Sequence, residues 1–221
     1  MTEELPDERP QRRREYSGAS STLGVAALIV IVVGVAIWFF EFRDAGSSGG
    51  GGTPGLGIVA LAPQLNPTGK AAAAQEGRAA PDFRLRSVDG IDLQLSDVRG
   101  DYVLLNFWAT WCGPCRDETP DLQALFQTAR RETAQGGLIV VGVNQQEEPD
   151  TVRAFTSEFG VTYPVVLDRA GEVSEAYRVG RGLPMTFLVN PAGVIERIYY
   201  GRITSDALAA IASRAGAGSN P

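Results

Sequence analysis

Three patterns of apolar and polar positions follow one another along the chain, and a fourth lies within the third. The first is a run of 18 residues without a charge, Leu23 to Phe40 (LGVAALIVIVVGVAIWFF). It is preceded by Arg9, Arg12, Arg13 and Arg14 and followed by Glu41 and Arg43. At 1.5 Å per residue such a helix spans about 27 Å, close to the hydrocarbon core of a bilayer. Trp38, Phe39 and Phe40 suit the far interface. Length and flanks favour a membrane span over a buried core helix. A cleaved signal peptide has a shorter apolar core, and no small-x-small site abuts the run; Ala45 is the nearest candidate. The expectation is an uncleaved anchor over residues 23–42. The arginine bias then puts residues 1–22 in the cytoplasm as a tail and everything after the anchor outside.

The second pattern, residues 43–78, has no periodicity and reads as a flexible linker, with Gly46–Gly57 (GSSGGGGTPGLG) its most flexible part. The short apolar island Ile58–Ala62 has no assignment within it.

The third pattern is the domain, residues 79–215, with 216–221 a C-terminal tail. Alternation over Phe83–Arg86 and Ile91–Leu95 around Val88-Asp89-Gly90 predicts a hairpin. One helical turn over Ser96–Val98 stops at Gly100. Tyr102–Trp108 (YVLLNFW) is almost continuously apolar, as a strand buried on both faces must be. Pro114 to about Arg131 is helical, with Leu122, Leu125, Phe126 and Ala129 on one face and a kink expected at Pro120. Further elements are a strand at Leu138–Val143, a helix at about Asp150–Phe159, a strand at Val165–Leu167 and a helix at about Glu172–Tyr177. Strands at Thr186–Val189 and Val194–Tyr200 are joined by the turn Asn190–Gly193, and an amphipathic helix covers about Ser205–Ala212. Alternating strands and helices ending in a hairpin define an α/β class with a mixed sheet.

Composition narrows the chemistry. The net charge is −6, and the domain holds 13 Arg against 18 Asp and Glu, which argues against a nucleic-acid partner. No histidine is present, which excludes Ser–His–Asp and Cys–His nucleophiles and imidazole metal ligands. With two cysteines in all, a structural zinc site would need carboxylates for half its ligands. Arg116 stands where a CxxCH haem site needs histidine. The cysteine pair is left with redox chemistry or a static disulfide, and no cofactor beyond that disulfide is expected.

The fourth pattern is Trp111-Cys112-Gly113-Pro114-Cys115, which follows the buried strand and opens a helix. Unsatisfied amides and the dipole at a helix N-terminus stabilise an anion, so Cys112, ahead of the first turn, is the expected nucleophile with a lowered thiol pKa. Cys115, one turn on, is placed to resolve a mixed disulfide. Pro114 suits the first turn, where its missing N–H costs nothing. As a staple the pair would be poor, because so short a loop removes little unfolded-state entropy.

Asn106–Cys115 (NFWATWCGPC) resembles the active-site segment of thioredoxins. Two longer stretches extend the likeness: APDFRLRSVDGIDLQLSDVRGDYVLLNFWATWCGPC and GLPMTFLVNPAGVIERIYYG. Residues 79–212 as a whole resemble the TlpA/ResA-like, membrane-anchored extracytoplasmic thioredoxins. The resemblance implies a thioredoxin-like mixed sheet flanked by helices, with an N-terminal β-hairpin extension, preceded here by one transmembrane helix and a flexible linker. It implies that Pro184 is the family's cis-proline, with Leu183 offering backbone hydrogen bonds to a client; the plain alternative is a proline that opens a strand. Trp111, Gly113 and Pro114 complete the implied substrate-binding surface, although the indoles of Trp108 and Trp111 suit core and interface equally. Glu118 matches a glutamate three residues after the second cysteine, where a partly buried carboxylate would tune or shuttle a thiol proton. Its alternative is a solvated first-turn acid, and Asp117 and Asp121 read as surface charge. Asn106 departs from cytoplasmic thioredoxins, which carry a buried aspartate there; a neutral amide cannot serve as a base, which leaves proton transfer to Glu118 or to water.

Gly113-Pro114 is the thioredoxin dipeptide, whereas strongly oxidising relatives carry histidine between the cysteines. The expectation is a reductase of exported protein disulfides, with apocytochrome c thiols before haem attachment among its implied targets and a membrane thiol carrier recycling it. The alternatives are a disulfide-forming oxidase and a non-catalytic substrate-holding module. A peroxidase fits less well, because Cys115 already sits beside Cys112 as a resolving thiol.

Overall fold

The computed structural model describes residues 55–132, 137–180 and 182–217. The expected cytoplasmic tail, the apolar run Leu23–Phe40 and the linker as far as residue 54 lie outside the described residues. Among the described residues no helix is long and apolar enough to cross a membrane.

In chain order the elements are β1 (Gly57–Ile58), β2 (Phe83–Arg86), β3 (Asp92–Gln94), β4 (Tyr102–Trp108), α1 (Gly113–Glu132), β5 (Leu138–Gln145) and α2 (Pro149–Glu158). They continue with β6 (Val165–Asp168), α3 (Glu172–Ala176), β7 (Met185–Val189), β8 (Ile195–Tyr200) and α4 (Ser205–Ala217). Short 3-10 turns cover Pro63–Leu65 and Leu95–Val98. Each element predicted within the domain is present. The ends move most at β5, which runs on to Gln145, and at α4, which runs on to Ala217.

Five strands form the central sheet in the order β6-β5-β4-β7-β8. β4 pairs parallel with β5 (Leu105 opposite Val141) and antiparallel with β7 (Leu105 opposite Phe187). Being central, β4 has every residue from Val103 to Trp108 buried. Its side chains alternate between two cores, as the strand repeat requires. Leu104 and Trp108 join Leu122, Phe126, Val152, Phe155, Leu208 and Ile211, so α1, α2 and α4 cover that face. Val103, Leu105 and Phe107 join Phe83, Leu85, Val173, Tyr177 and Phe187 beneath the small sheet and α3. Phe107 lies 5.0 Å from Tyr177 and 5.6 Å from Phe187 between ring centroids. Burial of a side chain of this size contributes about 1.5–3 kcal/mol. Buried Tyr177 keeps its polar end satisfied by donating to the Pro81 carbonyl at 2.8 Å.

The small sheet corrects the sequence reading. Its order is β1-β2-β3, and its first strand comes from the segment expected to be flexible linker. Gly57 and Ile58 pair with Arg84 and Phe83, and Val59 donates to the Asp82 carbonyl. Gly77 then bonds to Ile195, and the Glu76 carboxylate accepts from the Ile198 amide, so both ends of the segment 57–78 are tied to the domain. The glycine that suggested disorder is required by its backbone conformation. Gly57 has φ +113°, and a Cβ there would collide with the Glu172 carboxylate.

Candidate active site

β4 ends at Trp108, and the turn Ala109–Trp111 delivers the chain to α1, with Cys112 just ahead of its first residue. Cys112 and Cys115 are joined in a disulfide with Cα atoms 5.2 Å apart. The Cys115 amide points at the Cys112 sulfur at 3.3 Å, so one of the helix's unpartnered N–H groups already faces the atom that would carry the thiolate. Both cysteines are largely covered, Cys112 at 5% exposure and Cys115 at 1%. Gly113 and Pro114 are exposed beside them.

The two indoles divide their roles. Trp108 is buried and packs in a tilted arrangement against Phe155, with centroids 4.6 Å apart. Trp111 is 67% exposed, next to Cys112. Trp111 thus presents a large apolar surface to solvent in the turn that leads into Cys112.

The Leu183–Pro184 peptide is cis. Because Met185 pairs with Phe107, the next step of the ladder brings Pro184 to the end of β4 from which the cysteines follow. Half-buried Leu183 packs against the same cluster that contains Cys112 and Cys115. The Pro184 carbonyl accepts from the Gly201 amide at 2.9 Å.

Glu118 lies one turn beyond Cys115 with no exposed surface, which removes the solvated-acid alternative. Its Oε1 accepts from Asn106 Nδ2 at 2.8 Å, and its Oε2 accepts from the Ile203 amide at 3.0 Å. Burial pushes its pKa up from an ordinary 4.5 to about 7, with Asp121 adding a smaller upward push. The two hydrogen bonds and Arg202 pull the other way without overcoming burial. A buried carboxylate with its pKa raised to about 7 thereby sits on α1 one turn beyond the cysteine pair. Asn106 does more than lack a charge. Its amide donates to Glu118 and to Thr186 Oγ1 at 2.9 Å, tying α1 to β4 and β7. Asp117 is exposed, and Asp121 pairs with Arg202 at 3.2 Å, consistent with surface charge.

Sequence reasoning missed Thr110 and Glu147. Glu147, in the loop after β5, accepts hydrogen bonds from the Thr110 amide and hydroxyl. Nothing in the string Gln145-Gln146-Glu147-Glu148 distinguishes this glutamate from its exposed neighbour.

The family model described as AhpC/TSA family matches residues 77–198, more than half of the chain. The chain belongs to the AhpC/TSA family. Within this family it is similar to thiol-disulfide oxidoreductase ResA of Geobacillus kaustophilus (strain HTA426), 40% identical over 130 residues that span 59% of this chain and 72% of the relative. ResA of Bacillus subtilis (strain 168) is likewise 40% identical, over 58% of this chain and 69% of its own. Among solved structures, a thiol:disulfide interchange protein DsbE from Chlorobium tepidum is 31% identical, with a TM-score of 0.57 over 64% of this chain and 97% of that one. StoA from Bacillus subtilis is 28% identical, with a TM-score of 0.51 over 59% of this chain and 95% of its own. This family member is a thioredoxin-fold thiol–disulfide oxidoreductase of the ResA/DsbE type.

Proposed function

We propose that the chain is an extracytoplasmic reductase of protein disulfides, held at the membrane by residues 23–42, with Cys112 as nucleophile and Cys115 as resolving thiol. In the reduced state the Cys112 thiolate attacks a client disulfide and joins one client sulfur, and the other client sulfur leaves as a thiolate that takes up a proton. Cys115 then attacks Cys112 Sγ, losing its own proton. The second client sulfur is released, and the Cys112–Cys115 disulfide remains. Two electrons pass to the client, and a membrane thiol carrier restores the dithiol. The observation that carries this reading is Glu118. Buried, one turn from Cys115 and with a pKa of about 7, it is suited to accept the Cys115 proton during resolution and to release it afterwards.

Trp111, Gly113 and Pro114 form the docking rim beside Cys112, and the Leu183 backbone next to cis-Pro184 pairs with the client main chain. The Gly113-Pro114 dipeptide supports the reducing direction, and the arginines ahead of Leu23–Phe40 support export. A relative structure described as a secreted thiol-disulfide isomerase from Corynebacterium glutamicum, 25% identical with a TM-score of 0.58, points the same way on compartment. Clients include exported proteins whose paired thiols must be free, such as apocytochrome c before haem attachment. The test is capture in cells. Cys115→Ser should accumulate mixed disulfides with exported proteins, and Cys112→Ser should accumulate none. Protease added to spheroplasts should digest the domain. Equal capture by both variants contradicts the roles, and full protection contradicts the compartment.

A further inference from the structure

The turn that carries Cys112 is bonded to a carboxylate from another loop. Glu147 Oε2 accepts the Thr110 amide at 2.8 Å, and Oε1 accepts the Thr110 hydroxyl at 2.5 Å. Glu147 is itself fixed to the sheet, because Asn144 Nδ2 donates to Oε2 at 2.6 Å. Asn144 has no exposed surface and sits opposite Trp108 in the β4–β5 ladder. The chain makes a costly turn to present this group. Gln146, just before it, holds φ +57°, a conformation that residues other than glycine adopt only when their surroundings impose it. The Gln146 amide is held there by the Asp168 carbonyl at 3.1 Å. The turn's own hydrogen bond, from the Cys112 amide to the Ala109 carbonyl at 3.2 Å, is internal to it and does not anchor it to the sheet.

A carboxylate oxygen on a backbone amide and a hydroxyl of one residue fixes both the position and the rotation of that residue. Thr110 is two residues before Cys112, so its Cα is within about 7.6 Å of the Cys112 Cα. Attack on a disulfide needs the incoming sulfur aligned with the bond it breaks, and small losses of alignment are expensive in rate. We propose that Glu147 is a positioning residue for the thiol–disulfide reaction, acting through Thr110 to hold the Cys112 sulfur at the N-terminus of α1. The reaction steps proposed above give it no role. It rests on the reading of Cys112 as the attacking sulfur.

Glu147 also lines a groove of about 620 Å³ with Arg86, Glu148 and Arg169, so a different role, contact with a client, has to be separated from positioning. The separating measurement compares two substrates with the reduced full-length chain in detergent. One is oxidised glutathione, too small to need the groove; the other is a disulfide-containing protein. In the first reaction the Cys112–Cys115 dithiol becomes a disulfide and one oxidised glutathione becomes two reduced ones. Glu147→Ala should slow both reactions by a similar factor of about ten. Glu147→Gln should recover the rate to within about threefold, because its amide oxygen still accepts the Thr110 N–H and its NH2 donates to the Thr110 hydroxyl oxygen. Thr110→Val, which keeps the amide and loses the hydroxyl, should cost a smaller factor and add little to Glu147→Ala. It also serves if Glu147→Ala does not fold. A wild-type rate with glutathione in Glu147→Ala, a loss confined to the protein substrate, or a Gln variant as slow as the Ala variant overturns the proposal. Cys112→Ser in parallel separates this from the underlying reading. If it keeps the wild-type rate, Cys112 is not the attacking sulfur. If it is inactive while Glu147→Ala is unaffected, only the positioning role fails.

Discussion

Glu118→Gln should make the oxidised protein more stable at pH 8 and leave it no more stable at pH 4. In the folded chain the Glu118 carboxyl has a pKa of about 7 against an ordinary 4.5, chiefly because it is buried. The folded state therefore holds this proton more tightly than the unfolded state does. The sign follows directly. Below pH 4.5 the group is protonated in both states and burial exacts no ionic penalty. Through the window from 4.5 to about 7 the penalty grows, and above about 7 it is complete. A gap of about 2.5 pH units at 1.36 kcal/mol each gives a penalty of about 3 kcal/mol. Glutamine removes it at every pH. Against that gain, glutamine has one carbonyl oxygen where the carboxylate has two, so either the Asn106 amide or the Ile203 N–H loses its acceptor, at about 1 kcal/mol. The expected difference, variant minus wild type, is about +2 kcal/mol at pH 8 and about −1 kcal/mol at pH 4. Urea unfolding of residues 55–221 with the Cys112–Cys115 disulfide intact, so that no thiol titrates, measures both. A difference that does not change between the two pH values would refute the claim that Glu118 is buried with a raised pKa.

Other expectations follow from the same structure. Gly142→Ala should destabilise the protein by about 1–3 kcal/mol in denaturant unfolding, because a Cβ there would lie 2.9 Å from Trp108 Nε1 and 3.2 Å from the Tyr163 ring. A chain beginning at residue 75 should be less stable in thermal unfolding than one beginning at residue 55, since it loses β1 and its pairing with β2; equal midpoints would return residues 55–74 to the linker. Asn106→Leu should shift the pH profile of resolution upwards, because one of the hydrogen bonds that favours ionised Glu118 is lost; an unmoved profile would show that Asn106 does not act on that carboxyl.

Local signals in the sequence located the strands, the helices and the cysteine motif. β4 is legible because a central strand must be apolar on both faces, and α1 because Leu122, Leu125 and Phe126 recur at helical spacing. Pro184 is visible only through the likeness of Leu183-Pro184-Met185-Thr186 to a family, since its place at the end of β4 depends on pairing with Phe107. Glu118 could be nominated but not placed. Its burial comes from Asn106 on β4 and the Ile203 amide ahead of α4, neither near it in sequence. Glu147 was not legible at all, because adjacent glutamates are told apart only by which one reaches Thr110. At Gly57, the last residue of the glycine-rich segment, composition misled for a physical reason. Composition reports the conformational freedom of Gly57 but not that the strand paired with β2 uses it at φ +113°.

The most direct test of the proposed reductase is the reduction potential of the Cys112–Cys115 pair, measured by equilibrium with glutathione or dithiothreitol. The account predicts a value near that of thioredoxin, about −270 mV, low enough to leave the pair a donor of electrons to client disulfides. A value near that of strong oxidants such as DsbA, about −120 mV, would reverse the direction of electron flow and contradict it.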